Sequence, residues 1–282
     1  MRRIAAVVPT HNRPDSLARC VDALERQRNV PGLRIVVVDD GSVDPAAVAA
    51  AVARSHAAQL LRFERARGPA AARNLGARNA DADVVLFTDD DCEPAPDWAA
   101  TLAAALARGA GAVAGITVNG RPGDALASAS ETILDYVQER ARDGGTTTHF
   151  AATNNLGVDA RVLAEVPFDE TYRYGEDRDW CARTVAAGHS VHVDPRATVV
   201  HHQHLDAAAF LRQQYGYGRG SYRFRRRHAA FARFEAPRYY TGLLARGFEH
   251  GVLPGLLVGV AQAATAAGFL REALRGQQGP AG

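Results

Sequence analysis

The chain has 282 residues, 47% of them hydrophobic, and a formal net charge of +2. This length is enough for one large α/β domain or two small ones. The three cysteines, Cys20, Cys92 and Cys181, are scattered and contain no CxxC pair, which argues against a disulfide framework or a structural zinc site and indicates a reducing compartment.

The first predicted element is a β-strand. The apolar run after Met1-Arg2-Arg3 stops at Pro9, so it is too short for the core of a signal peptide, and we expect a cytoplasmic protein. Pro14-Asp15-Ser16 is typical of a helix start. Further apolar runs, separated by Ala-rich segments of helical length, lie at 33–38, 59–63, 84–87 and 112–118. This alternation predicts an α/β fold with a mostly parallel sheet flanked by helices.

The pattern changes after residue 118. Glycines and threonines at 144–148 predict a mobile loop, and the apolar segments 191–193 and 198–200 predict a short pair of strands. From residue 206 the pattern is helical. We therefore expect a first domain over 1–205 and a helical C-terminal extension over 206–282.

The extension is the basic part of the chain. Residues 205–282 carry 11 arginines against four acidic residues, whereas residues 1–204 carry 22 arginines against 27. The basic run 219–233 fits either a solvated face or a site for anionic headgroups or a lipid-linked phosphate. The apolar segment 251–270 fits a core helix, an amphipathic helix on a membrane surface or a membrane span, and self-association through 239–274 stays open. We expect no nucleic-acid partner, because the rest of the chain is acidic and contains no recognition motif.

The residues that follow the apolar runs are the candidates for ligand binding, since ligands of open α/β sheets bind outside the carboxyl ends of the strands. Three runs are followed by polar clusters: Pro9-Thr10-His11-Asn12-Arg13, Asp39-Asp40-Gly41-Ser42 and Thr88-Asp89-Asp90-Asp91. Adjacent carboxylates repel one another unless a cation or hydrogen-bond donors offset the charge. Mg²⁺ or Mn²⁺ would do so together with substrate phosphates. The alternative is a solvated acidic turn ahead of a helix near Pro96.

These motifs resemble, in order, the signature of the family 2 glycosyltransferases with the GT-A fold. The matching residues are Pro9-Thr10-x-Asn12-Arg13, Val38-Asp39-Asp40-Gly41-Ser42, Gly68-x5-Arg73-Asn74-x-Gly76 and Thr88-Asp89-Asp90-Asp91-x2-Pro94. The resemblance covers about residues 1–205. It implies an inverting, metal-dependent transfer of a sugar from a nucleoside-diphosphate sugar to an acceptor hydroxyl, on a glycan, a lipid-linked molecule or a small molecule.

The resemblance also implies roles for the strand-end residues. Thr10, Asp39 and Arg73 are expected around the nucleoside base, and Asp89 is expected to face the ribose and the metal ion. Asp91 is expected to ligate that ion, Mn²⁺ or Mg²⁺. The remaining residues of these motifs that are expected on the donor side are Pro9, Asn12, Arg13 and Asp90.

A further acidic motif, Tyr174-Gly175-Glu176-Asp177-Arg178-Asp179-Trp180, opens a predicted amphipathic helix. It resembles the family's Glu-Asp motif, in which the second acid is the general base, here Asp177. A carboxylate there can take the proton of the attacking hydroxyl. The alternative is a helix cap, which would explain Glu176 or Asp179 equally well. On the acceptor side we expect Glu176 and Trp180, together with Asn154 and Asn155 of the motif at 153–157.

A histidine is expected to complete the metal site at the end of the predicted strand 198–200. Relatives of this kind have a metal-binding histidine at that strand end, and His201 lies there. The neighbouring His202 and His204 leave the choice of ligand open, with His201 preferred over His202.

Other functions are less compatible with the sequence. A dinucleotide oxidoreductase needs GxGxxG after its first strand, where this chain has Pro9-Thr10-His11-Asn12-Arg13. A metal-dependent nucleotidyltransferase or phosphotransferase would use the same acids but would not need the Glu-Asp helix start. A catalytically idle sugar-nucleotide-binding module would not need Asp89, Asp91 and Asp177 together.

Overall fold

The structure is a computed structural model that describes residues 2–231 and 234–277. Its contacts divide the chain into two compact units. The sheet unit comprises Met1–Gly120, Ala141–Thr171 and Asp177–His202, and the helical unit comprises Arg121–Arg140, Tyr172–Glu176 and Gln203–Gly282.

The described part of the sheet unit contains one eight-stranded sheet. Its strands are β1 (Ile4–Thr10), β2 (Arg34–Asp39), β3 (Ala58–Arg62), β4 (Val84–Thr88), β5 (Cys92–Pro94), β6 (Ala112–Asn119), β7 (Asn155–Asp159) and β8 (Val191–His201). Their order across the sheet is β3-β2-β1-β4-β7-β6-β8-β5. Strands β1 to β4 are parallel to one another, as are β6 and β8, whereas β7 and β5 run antiparallel to their neighbours.

Helices cover both faces of this sheet. The helices of the sheet unit are α1 (Pro14–Glu25), α2 (Pro45–Val52), α3 (Pro69–Asn79), α4 (Trp98–Leu106), α6 (Ala160–Glu165) and α7 (Glu176–Ala186). Alternate residues of β1 point to opposite faces. Ala6 and Val8 pack in a cluster with residues of α1, α2 and α4, while Ala5 and Val7 pack in a second cluster with residues of α3, α6 and α7. Burial on both faces explains why the strands are continuous apolar runs.

Local signals explain where several helices start. Proline occupies the first turn of α1, α2 and α3, where its missing N–H costs nothing. Asp44 caps α2 by accepting a hydrogen bond from the N–H of Ala47 at 3.0 Å. Gly68 precedes α3 with a φ of +99°, a left-handed conformation that favours glycine.

The helical unit is built from α5 (Ala125–Arg140), α8 (Ala207–Arg227), a short 3-10 turn (Ala229–Phe231), α9 (Pro237–Glu249) and α10 (Val252–Gln277). Ala129 and Tyr136 of α5 pack with Phe210, Leu243 and Val258 in a separate small core. The unit thus begins before the expected boundary at residue 205. Within the described residues, one helix, over Val252–Arg275 of α10, is long and apolar enough to cross a membrane.

The sequence pattern was wrong about one element and missed four others. The expected pair of strands at 191–193 and 198–200 is the single strand β8, which pairs with β6 along both segments across an irregularity between Ala114 and Ile116. Elements β5, β7, α5 and α6 were not predicted. β5 has three residues and α6 has six, and the two others lie where the apolar periodicity was weak.

Candidate active site

The ends of β1, β2 and β4 meet at one edge of the sheet, here called the carboxyl edge. β1 and β2 are parallel, with Thr10 opposite Asp39, and β4 runs parallel to β1 on its other side. The N–H of Asp40 donates to the carbonyl of Thr10 at 2.8 Å. The structure therefore brings together the polar clusters that follow these three strands, at the place where ligands bind in sheets of this kind.

Asp39 ends β2 and is fully buried. One of its oxygens accepts from the N–H of Ser42 at 2.8 Å, and the other pairs with Arg62, the last residue of β3. Arg62 also donates to the carbonyl of Ser42 at 2.9 Å. The Asp39 carboxylate is thus fixed in place and charge-paired.

The neighbouring Asp40 fixes the loop before α3. Its oxygens accept from the N–H groups of Arg67 at 2.6 Å and Gly68 at 2.8 Å. Gly41 has a φ of +75°, and a Cβ there would lie 2.7 Å from the backbone nitrogen of Ala66, so a side chain would not fit. Through these contacts the end of β2 positions the start of α3, which carries the buried Arg73.

The turn after β1 is tied to the β2 loop through Asn12, which has a φ of +58°. The Asn12 N–H donates to the Ser42 hydroxyl at 2.8 Å, and its side-chain oxygen accepts from the N–H of Val43 at 2.8 Å. Pro9 lies inside β1, opposite Val38. Asn12 and Pro9 therefore shape this edge through the backbone, in addition to any contact with a ligand.

Arg13 binds the last two of the three acids that follow β4. Its guanidinium lies 2.8 Å from the Asp90 carboxylate and donates to Asp91 at 2.6 Å. Asp90 is fully buried and also accepts from the Thr10 hydroxyl at 2.7 Å. Burial raises the pKa of Asp90 to about 7, although the charge of Arg13 opposes that rise.

Asp91 faces His201, with 3.4 Å between the carboxylate and the imidazole Nε2. Burial alone would raise the pKa of Asp91, but the hydrogen bond with His201 and the charge of Arg13 outweigh it and hold the pKa well below its usual range. His202 lies instead 3.3 Å from Glu93. The geometry thus pairs the side chain of His201, and not that of His202, with the carboxylate expected to bind the metal.

Potential ligand atoms of Asp91, Cys92 and His201 lie within 4.8 Å of one another. Carboxylate oxygen and imidazole nitrogen fit a divalent transition metal such as Mn²⁺. Burial raises the pKa of the Cys92 thiol well above its usual value, which disfavours the thiolate that metals bind. Asp89 lies outside this group, and its carboxylate pairs with Arg73 at 2.7 Å.

Asp177 lies in the first turn of α7 and is partly exposed, and its carboxylate accepts from the N–H of Arg178 at 2.7 Å. The other candidate acid in that turn, Asp179, is fully buried and pairs with Arg183 at 2.7 Å. Glu176 is also buried, although it belongs to the helical unit. Of these three acids, Asp177 is the most accessible for a proton-transfer role.

The residues expected near the acceptor are largely internal. Trp180 is fully buried, and its indole N–H donates to the carbonyl of Val166 at 2.7 Å. Asn155 accepts from Trp98 at 2.8 Å and donates to two backbone carbonyls, those of Ile116 and Ala197. Asn154 is 5% exposed. Trp180 and Asn155 therefore support the surrounding backbone, and neither offers a free polar group to an acceptor.

Sequence reasoning missed the structural partners of the site. Arg62 ends β3 and Arg67 lies in the loop between β3 and α3, and no motif marked either of them. Arg62 meets Asp39 because β3 pairs with β2, whereas Arg67 meets Asp40 through its backbone N–H. Cys92 was considered only for disulfides and zinc. The sequence signal available for it was its position directly after Asp91. The structure adds that β5 pairs with β8, which sets Cys92 opposite His201.

Comparison with known proteins identifies the class. The family model "Glycosyl transferase family 2" matches residues 5–166. The chain belongs to this family, as the motifs predicted.

Two relatives illustrate the range of the similarity. A pre-mycofactocin glycosyltransferase of Mycobacterium tuberculosis is 30% identical over 224 residues, which cover 77% of this chain and 46% of that protein. Glycosyltransferase AglE of Haloferax volcanii is 25% identical over 201 residues, which cover 67% of this chain and 63% of that protein. The chain thus spans about half the length of the first relative and somewhat more of the second.

Solved structures confirm the GT-A type of fold. Mannosyltransferase PcManGT from Pyrobaculum calidifontis, in complex with GDP-Man and Mn²⁺, matches with a TM-score of 0.63 and 21% identity over 99% of this chain and 81% of that chain. GalNAc-T7 with UDP, GalNAc and Mn²⁺ matches with a TM-score of 0.59 and 18% identity over 89% of this chain and 54% of that chain. At these identities the likeness shows the fold alone.

Proposed function

We propose that the chain transfers a sugar from a nucleoside-diphosphate sugar to an acceptor hydroxyl with inversion, in a single displacement. The observation that carries the proposal is the carboxyl edge, where a fixed carboxylate on β2 and the Asp91–His201 pair occur in one sheet. Such an edge can bind the two ends of a nucleoside diphosphate, its base and its phosphates. Family membership supports the same class of donor.

The donor nucleotide contacts the ends of β1 and β2. Asp39 accepts a hydrogen bond from an N–H of the base, an interaction that its fixed orientation favours. Thr10 and Arg73 border the same region, and the Arg73–Asp89 pair lies toward the ribose. Relatives in solved structures bind guanosine or uridine nucleotides, so UDP and GDP are the first ligands to test.

Asp91 and His201 would hold a divalent cation, Mn²⁺ or Mg²⁺, with the diphosphate supplying further oxygen ligands. A bound cation would neutralise the negative charge that develops on the departing diphosphate. The nitrogen ligand favours Mn²⁺, because Mg²⁺ prefers an all-oxygen environment. Asp89 would act on the donor side through its ion pair with Arg73.

Asp177 acts as the general base. It accepts the proton of the acceptor hydroxyl while that oxygen attacks C1 of the sugar, and the bond between C1 and the diphosphate oxygen breaks as the new bond forms. The nucleoside diphosphate leaves with the electron pair. Attack on the face opposite the leaving group inverts the configuration at C1. The acceptor is a hydroxyl of a glycan, a lipid-linked molecule or a small molecule.

Isothermal calorimetry of UDP and GDP, with Mn²⁺ or with EDTA, tests the donor site. We expect one of the two diphosphates to bind in a manner that depends on Mn²⁺, and Asp91→Asn to lower that affinity at least about tenfold, because one charged ligand is lost. Asp97→Asn is a matched control, since Asp97 contacts Asn29 before α4 and should leave the affinity unchanged.

Two results would refute the cation site. One is equal diphosphate affinity in Mn²⁺ and in EDTA, and the other is an Asp91→Asn variant that binds as tightly as the wild type. Circular dichroism of both variants shows whether the fold is retained.

A further inference from the structure

The exposed sides of α9 and α10 form one apolar surface in the helical unit. On α10, leucine or valine recurs at residues 253, 256, 260, 270 and 274, with alanine at 263 and 267, so that the spacing alternates between three and four residues. These five large side chains are between 46% and 62% exposed. Because this spacing keeps residues on one side of a helix, they form a single stripe about 30 Å long.

Two side chains of α9 extend this stripe sideways. Phe248, 44% exposed, covers Gly255, and Leu244, 37% exposed, lies beside Gly259. Both glycines belong to α10, so the two helices share one continuous surface. We call it the apolar face and define it by these residues: Leu244, Phe248, Leu253, Leu256, Val260, Leu270 and Leu274.

The opposite side of α10 is already occupied. Val258 and Ala261 are buried in the small core of the helical unit. A Cβ at Gly218 would lie 1.9 Å from the carbonyl oxygen of Thr265, and one at Gly268 would lie 2.0 Å from that of Tyr215, so α8 and α10 touch through their backbones. A helix packed in this way presents one face outward, which fits contact with a surface better than a membrane span.

The composition of the face distinguishes a bilayer from a second copy of the chain. Paired helices in water usually carry charged residues on both borders of the apolar seam. No residue of α10 from Val252 to Leu270 is charged, so the stripe has no charged border on this part of the helix. A wide apolar stripe that lacks charged borders along most of its length matches the acyl chains of a lipid monolayer better than a two-helix seam.

Charge at the ends of the face also fits a lipid surface. Arg271 and Arg275 follow the uncharged segment of α10, and Arg238 lies in the first turn of α9. Glu249, at the end of α9, lies 3.6 Å from Arg246. Residues 205–282 together carry 11 arginines against four acidic residues. Such an excess of positive charge attracts anionic headgroups.

We propose that the apolar face of α9 and α10 inserts into the headgroup region of an anionic membrane, with the flanking arginines on the lipid phosphates. The partner is therefore a lipid surface that carries net negative charge, such as the inner leaflet of a cytoplasmic membrane. The helix lies in the plane of the interface. This inference does not depend on the catalytic proposal, because it concerns a different surface.

Flotation of the full-length chain with vesicles tests the proposal. Vesicles of phosphatidylcholine alone are compared with vesicles of equal parts phosphatidylcholine and phosphatidylserine, at low and high salt. We expect flotation with the anionic vesicles, weakened by salt. In Leu256→Glu/Leu270→Glu, partitioning should fall at least about a hundredfold, because two buried leucines are lost from the bilayer contact.

Leu211→Glu is the matched control, since Leu211 is a 43% exposed leucine of α8 outside the apolar face, and it should float like the wild type. Light scattering and calorimetry with UDP and GDP accompany each variant, so that a folding defect or a failure of the donor site is recognised separately. Three results would overturn the proposal: no flotation with anionic vesicles, equal flotation of the double variant, or a wild-type dimer that the double variant converts to a monomer. The last would assign the face to a second copy of the chain.

Discussion

The carboxyl edge of the sheet unit and the α8–α10 contact of the helical unit are held together by opposite means. At the edge, polar side chains cross-link neighbouring segments, as in the hydrogen bonds from Arg67 and Gly68 to Asp40. In the helix contact, the absence of a side chain at Gly218 and Gly268 lets two backbones touch. At the edge, a substitution that changes the chemistry of a side chain should therefore have an effect even when the side-chain volume is unchanged. Between the helices, a single added methyl group should lower the stability.

The largest expected effect comes from a substitution in α7 that changes the chemistry of a side chain and keeps its volume. Asp177→Asn keeps the volume and one hydrogen-bond acceptor but removes the proton acceptor. Turnover should fall by at least about 10²-fold, because general base catalysis contributes roughly 10²–10⁴-fold. Donor affinity should stay unchanged. Steady-state kinetics with the donor selected by calorimetry measures both.

Asp206→Asn is a matched control for the helix-cap alternative. Asp206 caps α8 by accepting from the N–H of Ala209 at 2.6 Å, so its variant loses a comparable carboxylate at a helix start. It should keep both its turnover and nearly all of its stability, because asparagine caps a helix about as well as aspartate. If the Asp177 and Asp206 variants behave alike, Asp177 is a cap and the general base lies elsewhere.

A pair of glycine variants tests whether an added methyl group disrupts the backbone contact between α8 and α10. Gly218→Ala should lower stability by about 1–3 kcal/mol, because its Cβ would lie 1.9 Å from the carbonyl oxygen of Thr265 and the helices must separate. Gly259→Ala should stabilise by up to about 1 kcal/mol, since its Cβ meets only Leu244 at 3.7 Å and alanine favours a helix. Thermal unfolding followed by circular dichroism shows whether each variant is less or more stable than the wild type. Equal shifts would mean that α8 and α10 are not in backbone contact.

The smallest expected effect is on the stability of the sheet unit at acidic pH, to which two of its ion pairs contribute. Hydrogen bonding to Arg161 lowers the pKa of Asp159 to about 2, and hydrogen bonding to Arg196 does the same for Asp194. A pKa lowered by folding stabilises the protein above the unfolded value, near pH 4, and this contribution is lost as the pH falls toward 2. The effect should be small, because both arginine partners are exposed to solvent.

Asp159→Asn/Asp194→Asn measures this contribution. Its melting temperature should depend less on pH than that of the wild type between about pH 4 and pH 2. Parallel curves for the two proteins would show that neither ion pair contributes to acid stability.

The parts of the sheet unit that the sequence predicts are those that depend on local patterns, and the parts that it does not predict depend on contacts between strands. Strands β1, β2 and β4 and the polar clusters at their ends were predicted. Continuous apolar runs mark buried parallel strands, and the edge that binds ligands follows from the direction of those strands. Arg62 could not be assigned to Asp39 in this way, since their contact depends on the register between β2 and β3. Sequence reasoning also placed Asn155 and Trp180 beside the acceptor, although the core uses their polar groups.

The helical unit was less predictable for a related reason. Its close contacts depend on glycines, and a glycine in a helix looks the same in the sequence whether it meets a backbone, as Gly218 does, or nearly open space, as Gly259 does. Helix α5 was missed because its buried residues include Ser128, Glu131 and Thr132, which interrupt the apolar periodicity. Periodicity identifies helices well only when apolar residues occupy the buried side.

The most direct test of the proposed reaction is proton NMR of the freshly formed product, recorded with the donor and acceptor that support turnover. A single displacement with Asp177 as general base predicts one nucleoside diphosphate released for each sugar transferred. It also predicts an anomeric configuration opposite to that of the donor. A product that retains the donor's configuration, or release of pyrophosphate in place of a nucleoside diphosphate, would contradict it.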